Sequence, residues 1–244
     1  MSYQYVGSEL ELFSAATNWK SYLATLLRPL VVGRVLEVGA GIGSNIPYLH
    51  NGLVRGWTCL EPDGSLARCI EERLARRELP ANCGVVTGTI ASIDADALFD
   101  AILYLDVLEH IAEDREELEK AASRLAEGGS LIVLAPAHRF LFSPFDRAIG
   151  HHRRYSVAGL QALAPPRCRL VFCRMLDSIG FFASLANRLL LRSTAPSPAQ
   201  IAFWDNTLVP VSCRLDRCLG YRFGKSVVVL WSKVPSAPVG VGTP

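Results

Sequence analysis

The strongest constraint on the fold is an alternation. The stretches "RVLEVG" (34–39), "RGWTCLEP" (55–62), "CGVVTGT" (83–89), "FDAILYLDVL" (99–108), "SLIVLAP" (130–136), "CRLVFCRML" (168–176) and "KSVVVLWSKV" (225–234) have strand character. Between most of them lie segments with helical spacing or helix caps. Strands separated by helices pair in parallel and are covered on both faces. The runs "AILYL", "LIVL" and "VVVLW" contain no polar alternation, as strands buried on both sides require. The expected class is therefore α/β: a Rossmann-like, mostly parallel sheet with helices on both faces.

The helical segments carry their own punctuation. Residues 9–30 repeat apolar positions at helical spacing, predicting one or two helices. "GSNIPYLHNG" opens as a helix and closes on glycine. "DGSLARCIEERLARREL" predicts an amphipathic helix with Asp63 as N-cap. "EDREELEKAASRLAEGG" predicts a helix running to Gly128-Gly129, and "SVAGLQALAP" one capped by Ser156. Residues 178–217 read as helical or irregular. The expectation is one domain over 1–233, with an N-terminal helical segment (1–32), a substrate-side loop and helices (137–217), and a disordered tail (234–244).

Composition removes several function classes. Half the 244 residues are hydrophobic, enough for a core without staples. The seven cysteines are scattered and form no C-x-x-C pair, which points to reduced thiols and a cytoplasmic location. No signal-peptide pattern opens the chain. "IGFFASLANRLLLR" is too short to span a bilayer and is broken by Asn187 and Arg188, which leaves at most a peripheral membrane contact. Net charge is +2, but residues after 138 hold 14 Lys and Arg against 4 Asp. The surplus is spread out, with no dense basic stripe and no appended module, so a nucleic-acid substrate is not expected.

"VLEVGAGIGSN" places Gly39, Gly41 and Gly43 directly after the first strand. At the carboxyl ends of a doubly wound sheet, glycines can take positive φ and let a ligand approach the backbone. Glu61 ends the second strand and can accept hydrogen bonds from a ribose diol. The spacing is G-x-G-x-G, not the G-x-G-x-x-G of dinucleotide folds, and Glu37 lies inside the motif. A carboxylate there repels a pyrophosphate and attracts a cation. S-adenosylmethionine, with its ammonium and sulfonium, meets that requirement.

"VLEVGAGIGSN", "CLEP", "FDAILYLDVLEHI" and "LAEGGSLIVLAP" together resemble the successive motifs of class I S-adenosylmethionine-dependent methyltransferases, over roughly 33–136 plus the final strand. The resemblance implies seven strands with the last antiparallel. It places Glu37 and the Gly39–Gly43 loop around the methionine part, Glu61 on the ribose, and Pro62 and Ile90 beside the adenine. Asp106 would lie under the methionine end. Thr89 stands where many relatives carry an aspartate for the adenine amino group.

"SPFDRAIGHHRRYS" also resembles a subgroup of these enzymes associated with glycosyltransferases and polysaccharide or glycolipid synthesis. It belongs to a long loop, 136–156, of the kind that contacts substrate. His110 and His151 are the candidate bases for a hydroxyl acceptor. His138, Arg153, Arg154 and Tyr155 are the candidate substrate contacts, the arginines for an anionic group or, alternatively, for Asp146 within the loop. Asp106, Glu109 and His110 have D-x-x-E-H spacing, but Asp106 would have to serve both cofactor and metal, so no metal is expected. The resulting expectation is methyl transfer to a small-molecule or sugar-linked acceptor. An NAD-dependent oxidoreductase and a non-catalytic cofactor-binding protein are the alternatives. Oligomeric state is left open.

Overall fold

The computed structural model describes residues 4, 5, 7, 9–186, 188 and 196–235. Helices α1 (Glu9–Ser14) and α2 (Thr17–Leu27) lead into a sheet of β1 (Gly33–Val38), β2 (Val54–Glu61), β3 (Cys83–Thr87), β4 (Phe99–Leu105), β5 (Leu125–Pro136), β6 (Cys168–Leu176) and β7 (Ser226–Lys233). Their order is β3-β2-β1-β4-β5-β7-β6. Neighbours from β3 to β5 are parallel, and β7 runs antiparallel to both β5 and β6. This is the expected Rossmann-like sheet. The chain leaves β1 towards β2 and returns on its other side as β4, so the crevice at the carboxyl ends of β1 and β4 is the switch point where such sheets bind ligands.

The apolar runs distribute their side chains to two cores, one per face. Leu23, Leu27, Val35, Trp57, Leu103, Leu134 and Leu230 pack on one side. Leu36, Val38, Ile102, Tyr104, Val133 and Trp231 pack on the other. That is why the runs read as continuous rather than alternating.

The remaining helices are α3 (Ile46–Leu49), α4 (Gly64–Ala75), α5 (Asp114–Ser123), α6 (Pro144–Ala148), α7 (Val157–Gln161), α8 (Ser178–Ala186), α9 (Pro198–Phe203) and α10 (Val209–Cys218). Asp63 caps α4 by accepting from the Ser65 and Leu66 N–H groups, and Ser156 caps α7 through Gly159 N–H. Helix α5 ends earlier than the sequence suggests. Leu125 already pairs with Phe99, and Phe99 N–H donates to Arg124 C=O, so the sheet ladder takes residues with good helix propensity. The 136–156 loop is also more regular than expected. It holds a short 3-10 turn at Arg139–Leu141 and α6, which is closed by a reciprocal Ser143–Asp146 capping box.

Leu189, Leu190 and Leu191, and residues 236–244 of the tail, lie outside the described residues. Among the described residues no helix is long and apolar enough to cross a membrane. All seven cysteines are free.

Candidate active site

The glycine loop is shaped by its own surroundings as much as by any ligand. Gly39, Gly41 and Gly43 all take positive φ, between 57° and 70°. A Cβ at Gly39 would strike Val107 at 2.6 Å, and one at Gly43 would meet Ile46 and Ile70. Gly41 alone has room, with only the Leu10 methyl groups at 3.7 Å. Its N–H donates to Glu61 Oε2 at 2.8 Å, while Asp63 N–H donates to Glu61 Oε1 at 3.0 Å. Glu61 is therefore locked at the tip of β2 by backbone donors. Burial nevertheless pushes its carboxyl up. Each oxygen keeps lone-pair capacity for a further donor. A locked carboxylate beside an open glycine fits a vicinal diol such as that of a ribose.

Glu37 lies on β1, beneath the glycine loop. It is 1% exposed and accepts from Asn45 Nδ2 at 2.9 Å and Trp57 Nε1 at 3.2 Å. Burial raises its carboxyl to about 7, against those two hydrogen bonds and with help from the nearby Glu61 charge. It braces the loop from beneath. Ile90 likewise points into the core, at 1% exposure, while Pro62 is half-buried. Thr89 is exposed, and its N–H donates to Ser92 Oγ at 3.2 Å.

Beyond β4 the chain turns sharply. Asp106 takes a left-handed φ of 55°, a strained conformation for a residue with a side chain. Solvent reaches its side chain, yet the crowding of protein atoms around it pushes the carboxyl up to about 6. The charges of His151, Lys225 and Arg154 pull the other way. Next along the chain, Glu109 is 0% exposed, and neither of its oxygens has a hydrogen-bond partner. Burial raises its carboxyl well above the usual range, and the Asp106 charge adds to that. His110 lies edge-to-face against His151, with ring centroids 4.6 Å apart. Burial lowers the His110 pKa to about 4, with the His151 and His152 charges contributing.

The loop contributes His151 through a buried relay. Asp146, itself 0% exposed, contacts His151 Nδ1 at 3.0 Å and takes a two-pronged hydrogen bond from Arg154, at 2.8 and 3.0 Å. Burial works to raise the Asp146 carboxyl, but the His151 hydrogen bond and the Arg154 fork hold it well below the usual range. With Asp146 ionised, the proton of a neutral His151 sits on Nδ1, and Nε2 presents a bare lone pair 3.8 Å from Glu109 Oε1.

The candidate substrate contacts are occupied within the protein. Arg154 is spent on Asp146. Arg153 donates to Asp114 Oδ2 and Ala112 C=O. Tyr155 is 5% exposed and donates to Asp114 Oδ2 at 2.8 Å. His138 takes φ 66° at the end of β5, contacts Gly224 C=O through Nε2, and stacks edge-on against Phe181. The structure thus brings His110, His151, Glu109 and Asp106 together, with Arg154 paired to Asp146 and Arg153 to Asp114.

Two features were missed in the sequence. The N-terminal segment lies on the glycine loop: Leu10 faces Gly41, Tyr5 N–H donates to Asp63 Oδ2, and the Tyr5 ring is 5.7 Å from His110. Nothing in an amphipathic N-terminus announces that contact. Lys225, beside Asp106, hangs between Asp177 Oδ2 at 3.2 Å and the Trp204 ring. The cavity lined by Arg34, Gly56, Asn82 and Gly84 lies at the opposite end of the strands.

Residues 36–133 match the family model described as a methyltransferase domain. No curated protein matches the chain. Solved structures share its fold at low identity. An S-adenosylmethionine-dependent methyltransferase from Clostridium acetobutylicum ATCC 824 superposes at TM-score 0.58 with 11% identity, covering 93% of this chain and 96% of that one. A coclaurine N-methyltransferase bound to N-methylheliamine and SAH gives 0.60 and 16%, over 95% and 76%. The [4+2]-cyclase SpnF gives 0.62 and 15%, over 95% and 96%. These likenesses extend the shared fold beyond the matched family segment to most of the chain.

Proposed function

We propose that this chain, an S-adenosylmethionine-dependent methyltransferase by the family model that its residues 36–133 match, methylates an oxygen of a small, anionic or sugar-linked acceptor. The cofactor supplies a methyl group on a sulfonium, poised for in-line displacement. On this reading the Gly39–Gly43 backbone and Asp106 hold the methionine end. Glu61 takes the ribose hydroxyls, and Pro62, Thr89 and the Ile90 backbone border the adenine. Glu37 supports the methionine end from beneath the loop, where it holds Asn45.

The observation that carries the choice of oxygen is the Asp146–His151 pair. A neutral amine needs no base to attack a methyl group, whereas a hydroxyl gains from losing its proton. Here an imidazole has one nitrogen fixed by a buried carboxylate and the other turned bare towards the cluster after β4. His151 would take the acceptor's proton, and His110, kept neutral, would flank it. The charge surplus after residue 138 supports an anionic acceptor. The resemblance of "SPFDRAIGHHRRYS" to glycosyltransferase-associated methyltransferases supports a sugar or glycolipid link, for which a peripheral membrane contact from the cytoplasmic side is the natural setting.

The test is radiolabelled methyl transfer into acidic sugars and lipid-linked sugars, alongside calorimetric titration with SAH and with NAD. Labelled O-methyl product that falls about 100-fold in His151→Ala supports the proposal. Product methylated on nitrogen, or micromolar NAD binding without SAH binding, overturns it.

A further inference from the structure

We infer that Glu109, His110 and His151 form a binding site for one divalent transition-metal ion, zinc or a first-row neighbour. One donor atom from each lies within 4.8 Å of the others. The donor set of one carboxylate and two imidazoles is the chemistry that such ions select. Two features point to a ligand there. First, Glu109 is wholly buried with both oxygens unpartnered. A buried carboxylate left so is costly unless something positive or donating meets it. Second, His151 is presented in the form a metal needs. Asp146 holds Nδ1, so Nε2 faces Glu109 with its lone pair free, which is the carboxylate–histidine arrangement that orients metal ligands elsewhere.

The donor set also removes the objection raised by sequence spacing. D-x-x-E-H would recruit Asp106, which the cofactor needs. In the folded chain the third donor comes instead from the loop, as His151, and Asp106 remains free for the ammonium group. Three protein ligands leave positions open on the ion. An acceptor with two adjacent oxygens, a vicinal diol or a 2-hydroxy acid, could fill them.

This inference rests on the proposed function and refines it. The ion, held by His151 Nε2, replaces the bare imidazole as the group that activates the oxygen. Bound there, the ion would make an acceptor hydroxyl release its proton to water more readily. The oxygen then forms its bond to the methyl carbon as the carbon–sulfur bond breaks, with the electron pair passing to sulfur.

The experiment uses the full chain, stripped with a chelator and titrated with zinc chloride by calorimetry, then loaded with cobalt(II) for visible spectroscopy. One zinc per chain is expected, with the absorption of a four- or five-coordinate cobalt site. Glu109→Gln and His151→Ala should each weaken zinc binding about 100-fold, while SAH affinity stays within about threefold as the check on folding. Zinc binding unchanged in both variants, or none in the parent chain, overturns the inference. Methyl transfer at full rate in chelator overturns it too, but leaves the proposed function standing. Stoichiometric zinc with no SAH binding supports the ion site and sinks the proposed function instead.

Discussion

The proposed cofactor side and the proposed acceptor side of this site are built by different means. Around Gly39–Gly43 and Glu61 the geometry is written in main chain: positive φ at three glycines, and Gly41 and Asp63 N–H groups holding one carboxylate. Around His151 it is written in side chains. One buried aspartate, Asp146, holds a histidine, an arginine fork and the Ser143 cap at once. A backbone-built site is local and tolerates changes elsewhere. A side-chain hub fails as a unit. The comparison predicts that the two sides can be damaged separately.

The largest effect is expected at the hub. Asp146→Ala strands the Arg154 guanidinium, only 13% exposed, without its carboxylate and should cost up to about 3 kcal/mol of stability, read as a lowered denaturation midpoint. Methyl transfer should fall at least about 100-fold as His151 loses its orientation. SAH affinity at a temperature where the variant is folded should change little. An equal loss of SAH affinity would show that the two sides are one unit and break the comparison.

Glu61→Ala is the converse. On the proposed reading it removes a hydrogen-bond acceptor for the ribose, worth about 1.5–3 kcal/mol when charged. SAH affinity should drop roughly 100-fold by calorimetry. The His110–His151 cluster should be untouched, so zinc binding is the control.

This contrast also explains what was legible beforehand. The sheet, the Asp63 cap, the glycine turn and Glu61 were all readable, because each depends on residue type at short range: a Cβ-free bend, a cap one residue before a helix, a carboxylate at a strand end. Asp146 was legible as an alternative partner for Arg154, but the partners of Arg153 and Glu37 were not assigned. Arg153 meets Asp114 across 39 residues, and Glu37 meets Trp57 across a strand pair. Sequence says which side chains seek partners, not which ones the fold supplies. The early end of α5 has the same origin, since Leu125 answers to Phe99 on the neighbouring strand rather than to its own helix.

A smaller effect is expected from pH. Asp106, with its carboxyl near 6, is neutral at pH 5 and anionic at pH 7. SAH carries an ammonium group, so its affinity should rise about tenfold over that interval, roughly 1.4 kcal/mol. Asp106→Asn should flatten the profile. The same shift acts oppositely on the free protein. Its pKa is raised over the unfolded value, so its contribution to stability is present below about 4 and is lost as pH rises through 6. SAH affinity that stays level from pH 5 to 7 would remove Asp106 from the cofactor side.

The smallest effect sharpens the boundary between the two sides. Asp63 caps α4 and also holds Tyr5 N–H, so it links the main-chain half of the site to the segment lying over it. Hydrogen bonds from Ser65, Tyr5 and Leu66 lower its carboxyl to about 2. The lowered value means that its stabilisation is present above about pH 4 and is lost as pH falls towards 2. Asp63→Ala should cost about 1 kcal/mol, the usual worth of an N-cap, as a drop in melting temperature at pH 7 that shrinks in acid. If Tyr5 and Leu10 cover the bound cofactor, the variant should also release SAH faster in a stopped-flow chase. Asn at the same position keeps a capping oxygen and should restore most of the stability. Faster release in Asp63→Asn with stability restored would assign the grip on Tyr5 to the carboxylate's charge. Unchanged release in both variants would separate the N-terminal segment from the cofactor side altogether.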